Sequence, residues 1–433
     1  MITNETHVTG EPKLSERLLS TSLSTKLIPA AWQTPLSPRI ETAEDSDPAD
    51  AATSIPSQPL TRLRLNRLSR QTKIIATLGP STEDGEVLRK LLQVGASVFR
   101  LDAVDTGREP ALKAVYALRS ISTEFRQPVS LLFDAGTVAV NSEEYWAKLR
   151  FGIECGADWF AVSADTGTDG LRSLRRFLAE QKRNSIGIMA RIDGRTDMDQ
   201  LGPILADADG VLVSRSHSES GAANRCQAIA QQCRTARKPA VLTTCTETTG
   251  DAQGGLGDVA SLVRVQPDAL LLVEETSVGR HPVQSVQQLD GLIRSAESAA
   301  SDEPPLAISL TSGRDEAIAA TVRQADETNA EAVVVFTQSG NSAALCAALR
   351  PRSARVFAFT PDTRLARRLI LHSAIEPQVL SFANQSNKTI RAAEKLLLER
   401  KLLAVGARIV FVTETLVEDQ RVSSVQVRTL EKA

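Results

Sequence analysis

From Thr72 onward the chain alternates short apolar runs with longer stretches in which apolar residues recur every three or four positions. Eight runs come first: Thr72–Leu78, Val98–Ala103, Val129–Asp134, Trp159–Ala164, Gly187–Ile192, Gly210–Arg215, Ala240–Thr244 and Ala269–Glu274. They are nearly continuous in apolar residues rather than alternating, which predicts strands covered on both faces and hence a parallel sheet. Between them lie amphipathic stretches, including Glu86–Val94, Glu143–Cys155, Leu171–Gln181 and Arg225–Arg237. Ser81, Ser142 and Asp197 stand as candidate helix caps. Eight such β/α units in about 230 residues have the size and order of a TIM barrel.

Ser-Asp-Glu-Pro-Pro305 interrupts this rhythm and predicts a linker. A second α/β series follows, with runs Leu306–Leu310, Ala332–Thr337, Arg355–Thr360, Gln378–Phe382, Arg408–Thr413 and Val425–Leu430. Its clearest helical stretch is Lys388–Leu403, and the series predicts a smaller open-sheet α/β domain. Residues 1–68 fit neither pattern. They are rich in Ser, Thr and Pro, with an acidic patch at Glu41, Glu44, Asp45, Asp47 and Asp50, and are expected to be a disordered tail. Glu5 and Glu11 interrupt the start, so no signal peptide is expected. The division is therefore tail 1–68, barrel 69–300 and second domain 301–433.

Composition narrows the function classes. Fifty basic and 52 acidic residues give a net charge of −2, so no general attraction to nucleic acid or to an anionic membrane is expected. No apolar run reaches the roughly 18 residues that would suggest a membrane span. The five cysteines (155, 226, 233, 245 and 346) contain no CxxC pair, which predicts a reduced intracellular, cytoplasmic protein without structural zinc. Four histidines, at 7, 217, 281 and 372, are too few for histidine-rich metal chemistry. His281 reads as a surface turn, Cys245 as an inert thiol and Trp159 as core.

In a TIM barrel the chemistry collects where the strands end. Those ends offer Arg100 and Asp102, Asp134, Arg191 and Asp193, Arg215 and His217, Thr243 and Thr244, and Glu274, Glu275 and Thr276. Residues two apart on a strand face the same way, so Arg100/Asp102 and Arg191/Asp193 are each expected to enter one site. Arginines interleaved with carboxylates suit an anionic substrate bridged by a divalent cation. A ring of salt bridges closing the barrel top would use the same residues.

The segment Thr72-Lys-Ile-Ile-Ala-Thr-Leu-Gly-Pro-Ser-Thr82 resembles the opening strand of the pyruvate kinase family, T-K-I-x-x-T-[LI]-G-P-[AS]-[ST]. Further similarity runs through Val-Phe-Arg-Leu-Asp102, Leu-Arg-Phe-Gly-Ile-Glu-Cys-Gly-Ala-Asp158, Asp-Gly-Val-Leu-Val-Ser-Arg215 and Arg-Lys-Pro-Ala-Val241. It continues in Gly-Asp-Val-Ala260 and Glu-Glu-Thr-Ser-Val-Gly-Arg-His-Pro-Val283, and covers about residues 66–433. The family moves phosphate from phosphoenolpyruvate to ADP in glycolysis, using Mg²⁺ and usually K⁺.

By that resemblance Arg100 is the substrate-phosphate arginine, and Ser214, Arg215 and Ser216 lie beside the substrate. The transition-state lysine falls on Arg191, and the threonine near the enolate proton falls on Thr244. The Mg²⁺ or Mn²⁺ carboxylates fall on Asp193 and His217, and the potassium ligands on Asp102, Val104, Asp134 and Ala135. Arg for Lys changes the shape of the charge. His for a carboxylate removes an oxygen ligand, which Mg²⁺ prefers. Of the potassium set only Asp134 keeps the family's residue, so a K⁺ site is not expected to be intact.

The family also inserts a β-barrel lid after the third strand, whereas here seven residues, Ala-Gly-Thr-Val-Ala-Val-Asn141, separate Asp134 from the next helix start. A lid excludes water from the reacting centre, so its loss predicts weak or absent turnover. In the second domain Thr337, Ser339, Gly340 and Ser342 resemble the family's effector loop, which binds a phosphate at a helix N-terminus. The resemblance implies a small phosphorylated or carboxylate metabolite as partner, and an oligomer of identical copies or with a related subunit. Two other readings remain: a metal-dependent enolate or 2-oxo-acid lyase using Asp193 and His217, and a non-catalytic regulatory or scaffold protein.

Overall fold

The computed structural model describes residues 70–431 except 104–106, 137–138, 165–166, 194–195, 215–221, 245–258, 300–305, 353, 384 and 418–419. The tail 1–68 and the Ser-Asp-Glu-Pro-Pro305 linker thus lie outside the described residues, as do Val104, Arg215, Ser216, His217 and Cys245.

Eight parallel strands close into a barrel in sequence order, β1 to β8. They are β1 (Lys73–Leu78), β2 (Ala96–Asp102), β3 (Ser130–Asp134), β4 (Trp159–Ser163), β5 (Gly187–Asp193), β6 (Gly210–Ser214), β7 (Ala240–Thr244) and β8 (Ala269–Leu272). The apolar runs become strands because both faces are covered: every residue of β1, β2, β3 and β8 is buried. Inside the barrel Ile75, Val98, Leu132, Trp159, Met189, Leu212, Val241 and Leu271 pack into one cluster. The helix starts follow their caps. Ser142 accepts from Tyr145 N at 3.1 Å and Asp197 from Asp199 N at 3.1 Å. Ser81 does not cap a helix. It lies in a short 3₁₀ turn, and Asp84 caps the helix Gly85–Gln93 instead.

β8 ends at Leu272, and Glu274–Ser277 is a one-turn helix rather than the strand end expected at Glu274. That turn packs on the end of β1. Thr276 Oγ1 accepts Thr77 N at 2.7 Å, and Thr77 Oγ1 donates to Leu272 O at 2.7 Å. A Cβ on Gly79 would stand 2.6 Å from Ser277 O, so the close approach admits only glycine there.

A ladder of aspartates ties the bottom of the barrel. Asp158, Asp209 and Asp268 each directly precede an even-numbered strand. Each accepts the backbone N–H of the strand before it: Leu131 at 2.9 Å, Ile188 at 2.8 Å and Ala240 at 3.0 Å. The backbone N–H of each aspartate returns a bond to the carbonyl of the same residue. In the remaining strand pair Glu297 takes this role, accepting Gln71 N at 3.0 Å and Thr72 N at 2.8 Å ahead of β1.

The second domain is a five-stranded sheet in the order β11-β10-β9-β12-β13. Its strands are β9 (Ala332–Phe336), β10 (Arg355–Thr360), β11 (Ile375–Val379), β12 (Arg408–Val417) and β13 (Gln420–Thr429), the last antiparallel to β12. Two expected runs differ. Leu306–Leu310 is exposed or half-buried and pairs with no strand. β11 begins at Ile375, not Gln378, and contains Pro377. An edge strand tolerates proline because one side of its backbone makes no ladder bond.

The start of β11 is fixed from outside the sheet, because the chain just before it plugs the barrel base. Ile370 and Leu371 join the barrel's interior cluster, and the Arg368 guanidinium lies 5.4 Å over the Trp159 ring. Arg367 Nε donates to Asp158 Oδ1 at 2.8 Å, and Ser373 N to Asp268 Oδ1 at 2.9 Å. Lys73 Nζ reaches Ile375 O and Glu376 Oε1, both at 2.8 Å. His372 is buried here, and burial holds its pKa down at about 4. Cys155, Cys226, Cys233 and Cys346 are buried. Burial pushes the thiols of Cys155 and Cys346 up to about 12.

Candidate active site at the barrel mouth

Asp134, at the end of β3, organises the mouth. It is fully buried. Its Oδ2 accepts from Arg100 Nε at 3.0 Å and Nη2 at 2.8 Å. Its Oδ1 accepts from Arg191 Nη1 at 2.9 Å and from Gly136 N at 3.0 Å. Arg100 and Asp102 do enter one site, as their two-residue spacing predicts: Arg100 Nη2 also bonds Asp102 Oδ2. Burial opposes the Arg100 charge, but Asp134 and Asp102 outweigh it and hold the guanidinium pKa above its ordinary value. The third nitrogen, Arg100 Nη1, is buried and makes no hydrogen bond. An unpaired buried donor on a cation is costly, and an anionic ligand would satisfy it.

Arg191 reaches across from β5 and closes the other side. Besides Asp134 it donates Nη2 to Gly136 O at 2.6 Å. Gly136 was not singled out by the sequence, because the contact uses only its backbone. The oxygens of Asp134 and Gly136 that could ligate a monovalent cation are thereby bonded to a guanidinium. Of the potassium set, Asp134 is thus bonded to guanidinium groups and Val104 lies outside the described residues, and no step is assigned to potassium.

Asp193 is exposed at the end of β5, where Thr196 Oγ1 approaches it at 3.5 Å, and it pairs in the sheet with half-buried Ser214. Among the described residues no three His, Cys, Asp or Glu side chains converge as a metal site. Asp193 supplies one carboxylate, and the described residues do not by themselves make a Mg²⁺ or Mn²⁺ cage.

Thr244 is buried and its Oγ1 has no hydrogen-bond partner. It pairs with Leu272, whereas Val241 and Leu271 belong to the barrel interior. Strand alternation therefore puts Thr243 on the inner face, where its Oγ1 donates to Val213 O at 3.3 Å, and Thr244 on the outer one. The expectation that Thr244 faces the mouth does not follow the parity of β7.

The hydroxyl-rich turn of the second domain is compact. Thr337 Oγ1 accepts Gly340 N at 2.8 Å, and Gly340 has φ +94°, which leads into the helix Asn341–Leu349. Ser339 is exposed, while Ser342 is buried and accepts from Arg314 Nε at 3.0 Å. Arg314, which also donates to Phe336 O at 3.0 Å, is a basic residue beside this loop that sequence reading missed. It comes from a different helix, Gly313–Glu327, so no local motif contains it.

Comparison with known proteins agrees with this architecture. Residues 137–286 match the family model "Pyruvate kinase, barrel domain" and residues 315–427 match "Pyruvate kinase, alpha/beta domain". The chain is 27% identical over 297 residues to "Pyruvate kinase isozyme A, chloroplastic" of Ricinus communis, covering 64% of this chain and 50% of that protein. It is 23% identical to "Pyruvate kinase 2" of Synechocystis sp. over 82% of this chain and 78% of the relative. To "Pyruvate kinase" of Methylorubrum extorquens it is 22% identical, over 79% and 94%. The chain thus spans about half the length of the plastid relative. No helix among the described residues is long and apolar enough to cross a membrane. The barrel and the domain that plugs its base occur here in the family's order, and the chain belongs to the pyruvate kinase family.

Proposed function

We propose that this protein binds a small phosphorylated carboxylate of the phosphoenolpyruvate type at the barrel mouth and turns it over weakly or not at all. The observation that carries the binding half is Arg100: held by Asp134 and Asp102, with Nη1 buried and without a partner. A guanidinium fixed in this way meets an anion with little loss of side-chain freedom. Two observations support weak turnover. Asp134, the one retained potassium-type ligand, is engaged by two arginines, and the β3–helix connection leaves no room for a water-excluding domain. The Thr337–Ser342 turn, with Arg314 on Ser342 Oγ, is proposed as a second phosphate site. The lyase reading rests on Asp193 acting with His217. Asp193 is exposed and His217 lies outside the described residues, so no observation favours it.

Calorimetry with phosphoenolpyruvate, together with a coupled assay containing ADP and Mn²⁺ or Mg²⁺, tests the proposal. Binding that Arg100→Gln weakens by about tenfold or more, with turnover far below the ~10 s⁻¹ common among enzymes, is expected. Turnover near that rate overturns the weak-activity half. Binding that Arg100→Gln leaves unchanged overturns the site.

A further inference from the structure

A cleft of about 1490 Å³ is lined by residues of the base of the barrel and of the second domain. It exceeds the ~300–1,000 Å³ usual for small-molecule pockets, so a ligand would occupy only part of it. Arginines line it from both sides: Arg234 and Arg264 from the barrel, Arg323, Arg350 and Arg355 from the second domain.

Arg350 is the central one. Its side chain is only 8% exposed. Nη2 donates to Gln266 O at 2.7 Å, Nη1 stands 3.4 Å from Asp268 Oδ1, and neither Nη1 nor Nε makes a hydrogen bond. Nη1 is thus held by charge alone, and Nε is left without an acceptor on a largely buried cation that lines the cavity. Arg350, φ 52°, closes the helix Asn341–Leu349 in the left-handed conformation common at helix ends, and Gln266 has φ 55°. Gln266 also accepts Arg234 Nη1 on its Oε1 at 2.7 Å, so one residue positions two guanidinium groups.

Asp268 offsets part of the Arg350 charge, and Glu376 and Glu331 part of that on Arg355. Glu297 is spent on the backbone ahead of β1, Glu376 pairs with Lys73 at 2.8 Å, and Asp326 accepts Arg352 N at 2.9 Å. Glu327 and Glu331 are exposed.

We propose that this interdomain cleft binds an organic di- or polyphosphate, with Arg350 and Arg234 gripping one phosphate and Arg264, Arg323 and Arg355 the rest of the anion. Guanidinium forks match phosphate oxygens in pairs, which is why several arginines rather than lysines suit this ligand. The ligand would bridge the two domains and so stabilise their docking. This site is separate from the barrel mouth and does not depend on what the mouth binds.

Inorganic pyrophosphate is the probe, read by calorimetry and by the rise in thermal midpoint of the full chain. Binding is expected to weaken at least about tenfold in Arg350→Gln. Because Arg350 also contributes to domain docking, the double variant Arg264→Glu/Arg323→Glu provides a second arm. Both positions are exposed, so the variant should fold normally while binding pyrophosphate about tenfold or more weakly. Arg100→Gln, at the mouth, should leave pyrophosphate binding unchanged. No binding of pyrophosphate at millimolar concentration overturns the proposal, as does binding that Arg100→Gln abolishes and the double variant does not alter.

Discussion

At the base of the barrel each carboxylate of the ladder answers main chain as well as an arginine. Asp158, Asp209 and Asp268 each take a strand N–H, and Asp158 and Asp268 also take a donor from the second domain. At the mouth the buried carboxylate Asp134 answers two arginine side chains, and one of those arginines keeps an open donor. The difference separates a fastening from a receptor. Backbone donors cannot move without unfolding a strand, so the base is fixed. Guanidinium groups on rotatable stems can be re-paired by a ligand, so the mouth stays adaptable.

The largest expected break in this comparison is at the base. Asp268→Ala removes the acceptor of Ala240 N and Ser373 N and the ion partner of Arg350. It should cost about 3–5 kcal/mol of stability in urea unfolding, because it leaves a buried cation and two buried N–H groups unanswered. A loss below about 1 kcal/mol, the scale of an exposed pair, would show that the base is not the fastening described.

Acid should act next, also at the base. His372 is held neutral, with its pKa near 4 in the fold against 6.5 for an exposed imidazole. The unfolded chain then takes up a proton first as pH falls. The fold should therefore lose stability between about pH 6.5 and pH 4, by up to ~3 kcal/mol, with no contribution above pH 6.5. His372→Gln should flatten that part of the profile, and an unchanged slope would remove His372 as its source.

A smaller effect sharpens the account of the mouth. With Arg191 bonded to Asp134 and Gly136, phosphoenolpyruvate binding should be the same in K⁺ and in Na⁺. Arg191→Ala frees those oxygens and should create a K⁺ preference of about tenfold. A K⁺ requirement in the unmutated protein would contradict the guanidinium's occupancy. Smallest of all is Thr244→Val. It removes a buried hydroxyl that has no partner, and should leave stability unchanged or raise it by up to ~1 kcal/mol. If phosphotransfer is detectable and this variant abolishes it, the outward placement of Thr244 is wrong.

The barrel was legible in the sequence because its strands are buried on both faces, so each shows as an unbroken apolar run. All eight runs match a strand to within two residues at either end, and Ala269–Glu274 runs on into the short helix at Glu274. The second domain was less legible for a reason visible at β11. Its start is set by Ile370 and Leu371 entering the barrel, a tertiary contact that no local pattern reports. Leu306–Leu310 has the composition of a strand and no neighbour to pair with. At the mouth, two-residue spacing placed Arg100 with Asp102 correctly, and Arg191 and Asp193 share one face of β5, whose end reaches solvent at Asp193. Arg314 and Gly136 were invisible: one arrives from a distant helix, the other acts through its backbone.

The aspartate ladder also bears on how such a chain can be rebuilt. Closure of the barrel is enforced from its base, two strands at a time, by bonds that never touch the connection leaving β3 at the opposite end. That connection is therefore a port in the architecture, where a whole module can be spliced in or excised without the scaffold registering the change.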